Sequence, residues 1–228
     1  MIQLARPAAL LTDMDGTLVD TERAWLDVVG RLLEDPADPA DPAGLDAFAG
    51  LTIQDAARRL VAEGRTTWSY DDTAAWLDRE FAAAVAAGVR VQPGALRLLD
   101  AARALGVPVA LVTASERHVA ELVLKSLGAD RFDASVTNGE TQHGKPHPDP
   151  YLRAAQLLGA APEDCLAVED TPTGAAAALA AGCALLAVPS VPGIAPGPRT
   201  TIVASLDEVT LTANAKAAPG VPDAALDA

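Results

Sequence analysis

The chain has 228 residues, enough to bury a core for one large domain or one and a half. Half are hydrophobic but only 4% aromatic, and 31 acidic against 17 basic residues leave a net charge of −14. That balance, with no block of Lys or Arg, works against nucleic acid or anionic membrane as a partner. No apolar run approaches the roughly 20 residues of a membrane helix. Pro7 and Asp13 leave no room for a signal-peptide apolar region. Cys165 and Cys183 lie in apolar runs and read as core residues of a reduced protein. The cytoplasm is the expected compartment, and nothing demands more than a monomer.

In chain order, the run AALLT (8–12) reads as a buried strand and leads into LLTDMDGTLVD (10–20). There Asp13 and Asp15 stand one residue apart, followed by Gly16. Like charges this close are costly unless something positive sits between them, so the stretch predicts a cation site, a catalytic pair, or both. Residues 19–90 contain no convincing strand. Helical patterns are expected over 20–34, 53–63 and 72–87. Ile53, Ala56, Ala57, Leu60 and Val61 form one stripe, and Leu77, Phe81 and Val85 form another. Thr52 and Asp55 resemble an N-cap pair. Trp25, Trp68 and Trp76 are expected in the core of this insert, with Trp25 the one that could instead face a substrate. The Pro/Asp repeat EDPADPADPAG (34–44) predicts an exposed loop.

From residue 94 onward, apolar strands alternate with amphipathic helices. The strands are VPVALVT (107–113), ASVT (134–137), CLAVE (165–169), ALLAV (184–188) and TIVA (201–204). Between them, Val119, Leu122, Val123 and Leu127 share a helical face, as do Tyr151, Leu152, Ala155 and Leu158, and an alanine-rich helix covers 174–181. Strands without polar alternation, interleaved with helices, predict a parallel sheet covered on both faces. The tail after about residue 212 reads as disordered.

Asp13, Thr113, Glu169 and Asp170 fall at the carboxyl ends of predicted strands, and Lys145 lies in a loop after one. Sites in parallel α/β sheets form at that edge. Carboxylates without histidine or cysteine partners favour a hard cation such as Mg²⁺. A lysine and the helix start TPTGAAAA, with Thr171 as cap, favour a phosphate; Ser115 would begin the helix after Thr113 in the same way. Such a set spreads phosphoryl charge, with one aspartate as nucleophile and its neighbour handling protons.

These stretches together resemble the haloacid dehalogenase superfamily, in its phosphatase and phosphomutase branch. DMDGTLVD is similar to the first motif, the threonine of LVTAS to the second, the lysine of GKPHPDPY to the third and VEDTPTGAAAALAAG to the fourth. The resemblance covers about residues 8 to 210. It implies an α/β fold: a Rossmann-like parallel sheet core (1–18 and 91–211) with a small helical cap domain (19–90) inserted after the first strand, closing over the substrate. It implies Asp13 as nucleophile and Mg²⁺ ligand, and Asp15 as general acid and base with its backbone carbonyl on the metal. Thr113 and Ala114 would hold phosphoryl oxygens, Lys145 would neutralise nucleophile and phosphate, and Asp170 would ligate Mg²⁺ with Glu169 close by. The implied activity is hydrolysis of a small phosphorylated metabolite, a sugar or polyol phosphate. Glu22, Trp25, Thr52 and Arg58 are the cap residues considered for specificity.

Rival readings are weaker. GETQHGKP (139–146) has P-loop spacing, but Pro146 replaces the hydroxyl residue that holds Mg²⁺. Residues 11–22 overlay a calcium loop, yet Leu11 stands at its first ligand position. Thr113 with Glu116 would also fit a helix-capping box. His118, His143 and His147 are not expected to form a metal triad, because Pro146 and Pro148 keep His143 and His147 off a shared helix face; His147 lies beside the motif lysine. Dehalogenation is disfavoured because dehalogenating relatives lack the second aspartate. A phosphomutase would use the same residues, and a non-catalytic binding protein is the remaining alternative.

Overall fold

A computed structural model describes residues 1–33, 44–45 and 47–213. The expected loop at 34–44, apart from Gly44, and the expected disordered tail beyond Ala213 lie outside the described residues. The elements in chain order are β1 (Ile2–Ala5), β2 (Ala9–Thr12), β3 (Val19–Asp20), α1 (Glu22–Leu33), α2 (Ile53–Ala62), α3 (Tyr70–Ala87), β4 (Arg90–Val91), α4 (Ala95–Ala104), β5 (Val109–Val112) and α5 (Arg117–Leu127). They continue with β6 (Ala134–Val136), α6 (Asp149–Leu157), β7 (Cys165–Glu169), α7 (Pro172–Ala180), β8 (Ala184–Ala187), β9 (Thr200–Ile202) and β10 (Val209–Thr212).

Six strands form one sheet in the order β6-β5-β2-β7-β8-β9, every pairing parallel. The central strands are buried on both faces, as their unbroken apolar runs require. Strand alternation divides them between two cores. Leu10, Val109, Leu111, Leu166 and Val168 join α4, α5 and the inserted helices on one side. Ala9, Leu11, Ala110, Val112 and Ala167 pack against Tyr151, Ala154 and the small face of α7 on the other. The alanines of α7 let that helix lie close to the sheet.

The insert is helical and closes on itself. Trp25 meets Phe81 edge-on at a centroid distance of 5.6 Å, and its indole nitrogen donates to the Phe48 carbonyl. It therefore belongs to the cap core, as expected, rather than facing a substrate. Thr52 caps α2 by accepting from the Asp55 N–H. The insert also shares its apolar cluster with the sheet's α4 and α5 side.

Several expectations are corrected. Residues 19–90 are not wholly free of strand, because β3 and β4 pair antiparallel where the chain leaves and re-enters the core. β1 and β10 form a separate parallel pair that the sequence reading did not assign, so the first strand of the main sheet is the second in the chain. Val61, Leu152 and Trp68 are exposed rather than core-facing; Trp68 rests against half-buried Trp76 on the surface. Val61 and Leu152 sit at the margin of their helices' apolar arcs, where periodicity alone cannot say which side the partner element covers, and Trp68 lies before α3 begins.

Candidate active site

β2 delivers Asp13, β5 delivers Thr113, and β7 ends in Glu169 with Asp170 next. The parallel register places Thr12 opposite both Leu111 and Val168, so the three chain exits lie side by side. Asp13 N–H continues the ladder by donating to the Val168 carbonyl, and Thr113 N–H donates to Val136. Lys145 arrives from the loop after β6. Its ammonium spends all three donors, on Asp13 Oδ1 at 2.6 Å, Glu169 Oε1 at 2.6 Å and the Val112 carbonyl at 2.8 Å.

Asp13, Glu169 and Asp170 are buried, and one oxygen of each lies within 4.8 Å of the others. Three carboxylates face one ammonium, which leaves two negative charges without a counter-charge. Burial drives the Asp13 carboxyl well above its ordinary range; Lys145 pulls it back, while Glu169, Asp170 and lastly Asp15 push it further up. Burial likewise raises Asp170 to about 6, against the opposing hydrogen bonds of Ser190 and Thr17. Lys145 is held above its usual range: burial opposes its charge, but Asp13 and Glu169 outweigh that cost. The ammonium therefore stays charged, and the unbalanced groups are the acids.

One atom is conspicuous. Asp13 Oδ2 is buried without a hydrogen-bond partner among the described residues. An orphaned carboxylate oxygen in a dry cluster is costly unless a cation or a reacting electrophile meets it. The all-oxygen donor set of Asp13, Glu169 and Asp170 fits a hard divalent ion such as Mg²⁺.

The Asp15 carboxylate is not part of that cluster. Thr21 donates to its Oδ1 at 2.7 Å, and Thr113 and Ser115 donate to its Oδ2 at 3.0 and 2.8 Å. Its expected place among metal ligands thus rests on its backbone carbonyl alone. The same contacts decide against the capping-box reading: Glu116, not Thr113, stands at the N-cap of α5. Nor does Ser115 start the helix. Thr113 accepts from Ser115 N–H, with Ala114 exposed between them.

Two glycines make room. The turn after Asp13 needs a positive φ at Gly16, 81°, and a Cβ there would run into the Asp170 carboxylate. Gly174, in the first turn of α7, leaves space that the Glu169 carboxylate fills. Thr171 caps that helix as expected, accepting from Gly174 N–H.

Sequence reasoning missed four supports. Tyr151 was read only as a helix-face residue, yet its hydroxyl donates to Glu169 Oε1 at 2.6 Å while its ring lies 5.3 Å from the Lys145 ammonium. Thr17 and Ser190 each donate to one oxygen of Asp170. Gln92, just past β4, donates to the Gly16 carbonyl and ties the insert's return to the motif turn. Thr17 alone carried a signal, as part of the DGT run.

Of the four cap residues considered for specificity, Glu22 is the one drawn to the cluster. Burial raises its carboxyl, and Asp15 and Asp170 add to the rise against the Gly50 N–H it accepts. Thr52 is a helix cap, and Arg58 pairs with Asp55 on the surface. A cavity of about 470 Å³ bordered by Arg58, Val61, Ala62 and Tyr70 shares no residue with the cluster. His118 bonds Asp78 of α3, away from the other histidines, but His143 and His147 do meet, in a loop rather than on a helix. Cys165 and Cys183 are free and buried, and burial pushes their thiols up to about 11 and about 12.

The sequence pattern of the haloacid dehalogenase-like hydrolases matches residues 7–182. The chain belongs to that family. Hexitol phosphatase A of Escherichia coli (strain K12) is 36% identical over 216 residues, which span 91% of this chain and 95% of that one. A crystal structure of a HAD family hydrolase from Deinococcus radiodurans R1, with bound phosphate and sodium, shares 32% identity at a TM-score of 0.69 over 90% of this chain and 94% of that one. CbbY from Rhodobacter sphaeroides, in complex with phosphate, has the same fold: TM-score 0.75, 23% identity, 89% and 96% covered. This haloacid dehalogenase-like hydrolase is an enzyme, a phosphatase. Among its described residues no helix is long and apolar enough to cross a membrane.

Proposed function

We propose that the chain hydrolyses a small phosphorylated metabolite, a sugar or polyol phosphate, with Mg²⁺ and through an aspartyl-phosphate on Asp13. The observation that supports this most is the pairing of Asp13's two oxygens: Lys145 holds Oδ1, and Oδ2 is buried with nothing to accept from among the described residues. Lys145 thereby aims Oδ2 as a nucleophile and offsets its charge as an anionic ester approaches.

Asp13 Oδ2 attacks phosphorus, the ester P–O bond breaks, and the departing alkoxide takes a proton from Asp15. Water then attacks the aspartyl-phosphate while Asp15 recovers its proton, the bond to Asp13 breaks, and phosphate leaves. The hydroxyls of Thr21, Thr113 and Ser115 hold the Asp15 carboxyl in one orientation. Thr113 and Ala114 face the phosphoryl oxygens from the end of β5. Asp13, Asp170, Glu169 and the Asp15 carbonyl would hold Mg²⁺, which supplies charge neutralisation and polarises the phosphoryl group. The core takes residues 1–18 and 91–211 and the cap 19–90, with the cap excluding water during transfer. The sugar or polyol class rests on the hexitol phosphatase relative and on Glu22, a half-buried acceptor suited to hydroxyl groups. Reduced, buried cysteines agree with a cytoplasmic enzyme.

A panel of phosphorylated metabolites scored for inorganic phosphate, with and without Mg²⁺, tests this reading. Release confined to sugar or polyol phosphates with Mg²⁺ is expected. Interconversion of sugar-phosphate isomers with little phosphate release would instead make it a mutase, and no turnover of any phosphoester would make it a binding protein.

A further inference from the structure

The loop that carries Lys145 has two sides. Lys145 points inward, with its side chain only 6% exposed, while His143 and His147 on either side of it face outward at 52% and 47%. Both imidazoles turn the same atom toward one carboxylate. His143 Nδ1 lies 3.0 Å from Asp149 Oδ2, and His147 Nδ1 lies 2.9 Å from Asp149 Oδ1. The rings stand 4.4 Å apart between centroids, tilted by 37°, and one ligand atom from each of the three residues lies within 4.8 Å of the other two.

From this convergence we propose a second metal site, distinct from the carboxylate cluster, in which His143, His147 and Asp149 bind a borderline transition cation such as Zn²⁺. Two imidazole nitrogens and a carboxylate select such an ion over Mg²⁺, which prefers oxygen donors alone. Ligands sharing a tetrahedral zinc with bonds of 2.0 to 2.1 Å lie about 3.3 Å from each other. The two nitrogen-to-oxygen separations, 3.0 and 2.9 Å, are already close to that, so along both contacts the ion needs only a small opening. The loop is built to hold this shape. His147 N–H donates to the Gly144 carbonyl, the Thr141 hydroxyl to the His143 carbonyl, and His143 N–H to Asp149. Preorganisation of that kind removes much of the ordering cost of binding. Exposure leaves room for water to complete the coordination. The ion would clamp the outer side of the segment whose inner side positions Lys145.

Isothermal titration of the untagged chain with Zn²⁺, in saturating Mg²⁺ so that the carboxylate cluster is occupied, tests the assignment. One Zn²⁺ per chain is expected for the wild type and for Asp170→Asn. His143→Gln/His147→Gln should weaken that uptake by at least about tenfold while circular dichroism and the thermal midpoint stay unchanged. His147→Gln alone provides the same comparison if the double variant does not fold. An isotherm that is the same in the histidine variants, uptake lost only in Asp170→Asn, or a wild type that takes up no Zn²⁺ would each overturn the proposal and leave the three residues as a hydrogen-bonded cluster only.

Discussion

The Glu169 carboxylate fills the space beside Gly174 where any other residue would place its Cβ. The close approach joins the end of β7 to the first turn of α7, and it leaves Glu169 Oε1 free to take both Lys145 and Tyr151 at 2.6 Å. Gly174→Ala must push that carboxylate away, since the helix backbone cannot yield. Overpacking of this kind costs about 1–3 kcal/mol. The variant should lower the thermal midpoint, and turnover of p-nitrophenyl phosphate should fall with it because Lys145 loses a partner. Unchanged stability and rate would mean that Glu169 has another place to go.

Removing the nucleophile separates chemistry from folding. Asp13→Asn keeps the size and the strand-end hydrogen bond of Asp13 but not its charge. It should abolish phosphate release, with kcat down by more than about a thousandfold, while circular dichroism stays native. A fully active variant rules out the aspartyl-phosphate.

Breaking the ion pair from the other side should damage the fold as well. Lys145→Met strands Asp13 and Glu169 as buried acids with no cation, a loss of about 3–5 kcal/mol in chemical denaturation without Mg²⁺. Lys145→Arg should not rescue activity, because the guanidinium fork cannot fit where a compact ammonium meets three acceptors.

Metal-free stability should depend on pH in a direction that Asp170 sets. Its folded pKa, about 6, lies above the ordinary aspartate value of 3.8, so the folded state binds more protons between those values. The contribution is therefore present below about pH 4 and lost as pH rises through 6. In chelator, the stability gained from Asp170→Asn should grow between pH 4 and pH 8 by roughly 1–3 kcal/mol. Mg²⁺ should reverse the order at pH 8 by binding the wild type alone. Denaturation midpoints at the two pH values, with and without Mg²⁺, measure both.

Glu22 should act on substrate choice and leave the chemistry alone. Glu22→Gln keeps an acceptor for the Gly50 N–H but loses the charge. It is expected to raise KM for sugar or polyol phosphates several-fold while turnover of p-nitrophenyl phosphate changes little. Equal loss on both substrates would place Glu22 outside substrate recognition.

Much of this enzyme was legible from residue order. Short apolar runs without alternation, interleaved with amphipathic helices, read as strands buried on both faces, and a parallel sheet must bring their carboxyl ends to one edge. Asp13, Thr113, Glu169 and Asp170 follow from that rule, and the family resemblance follows from their spacing. Order in the chain misled in one respect. It set Asp15 beside Asp13 as the costly like charge, whereas in the folded protein Glu169 and Asp170 press harder on Asp13 than Asp15 does. Coulomb forces act through space, and a turn carries Asp15 away to three hydroxyls. The tertiary structure alone decided the rest. Tyr151 looks like any apolar position on a helix until packing turns its hydroxyl to Glu169. His143 and His147, barred from a shared helix face by the prolines around them, converge because the loop folds back on Asp149, and no periodicity records such a bend.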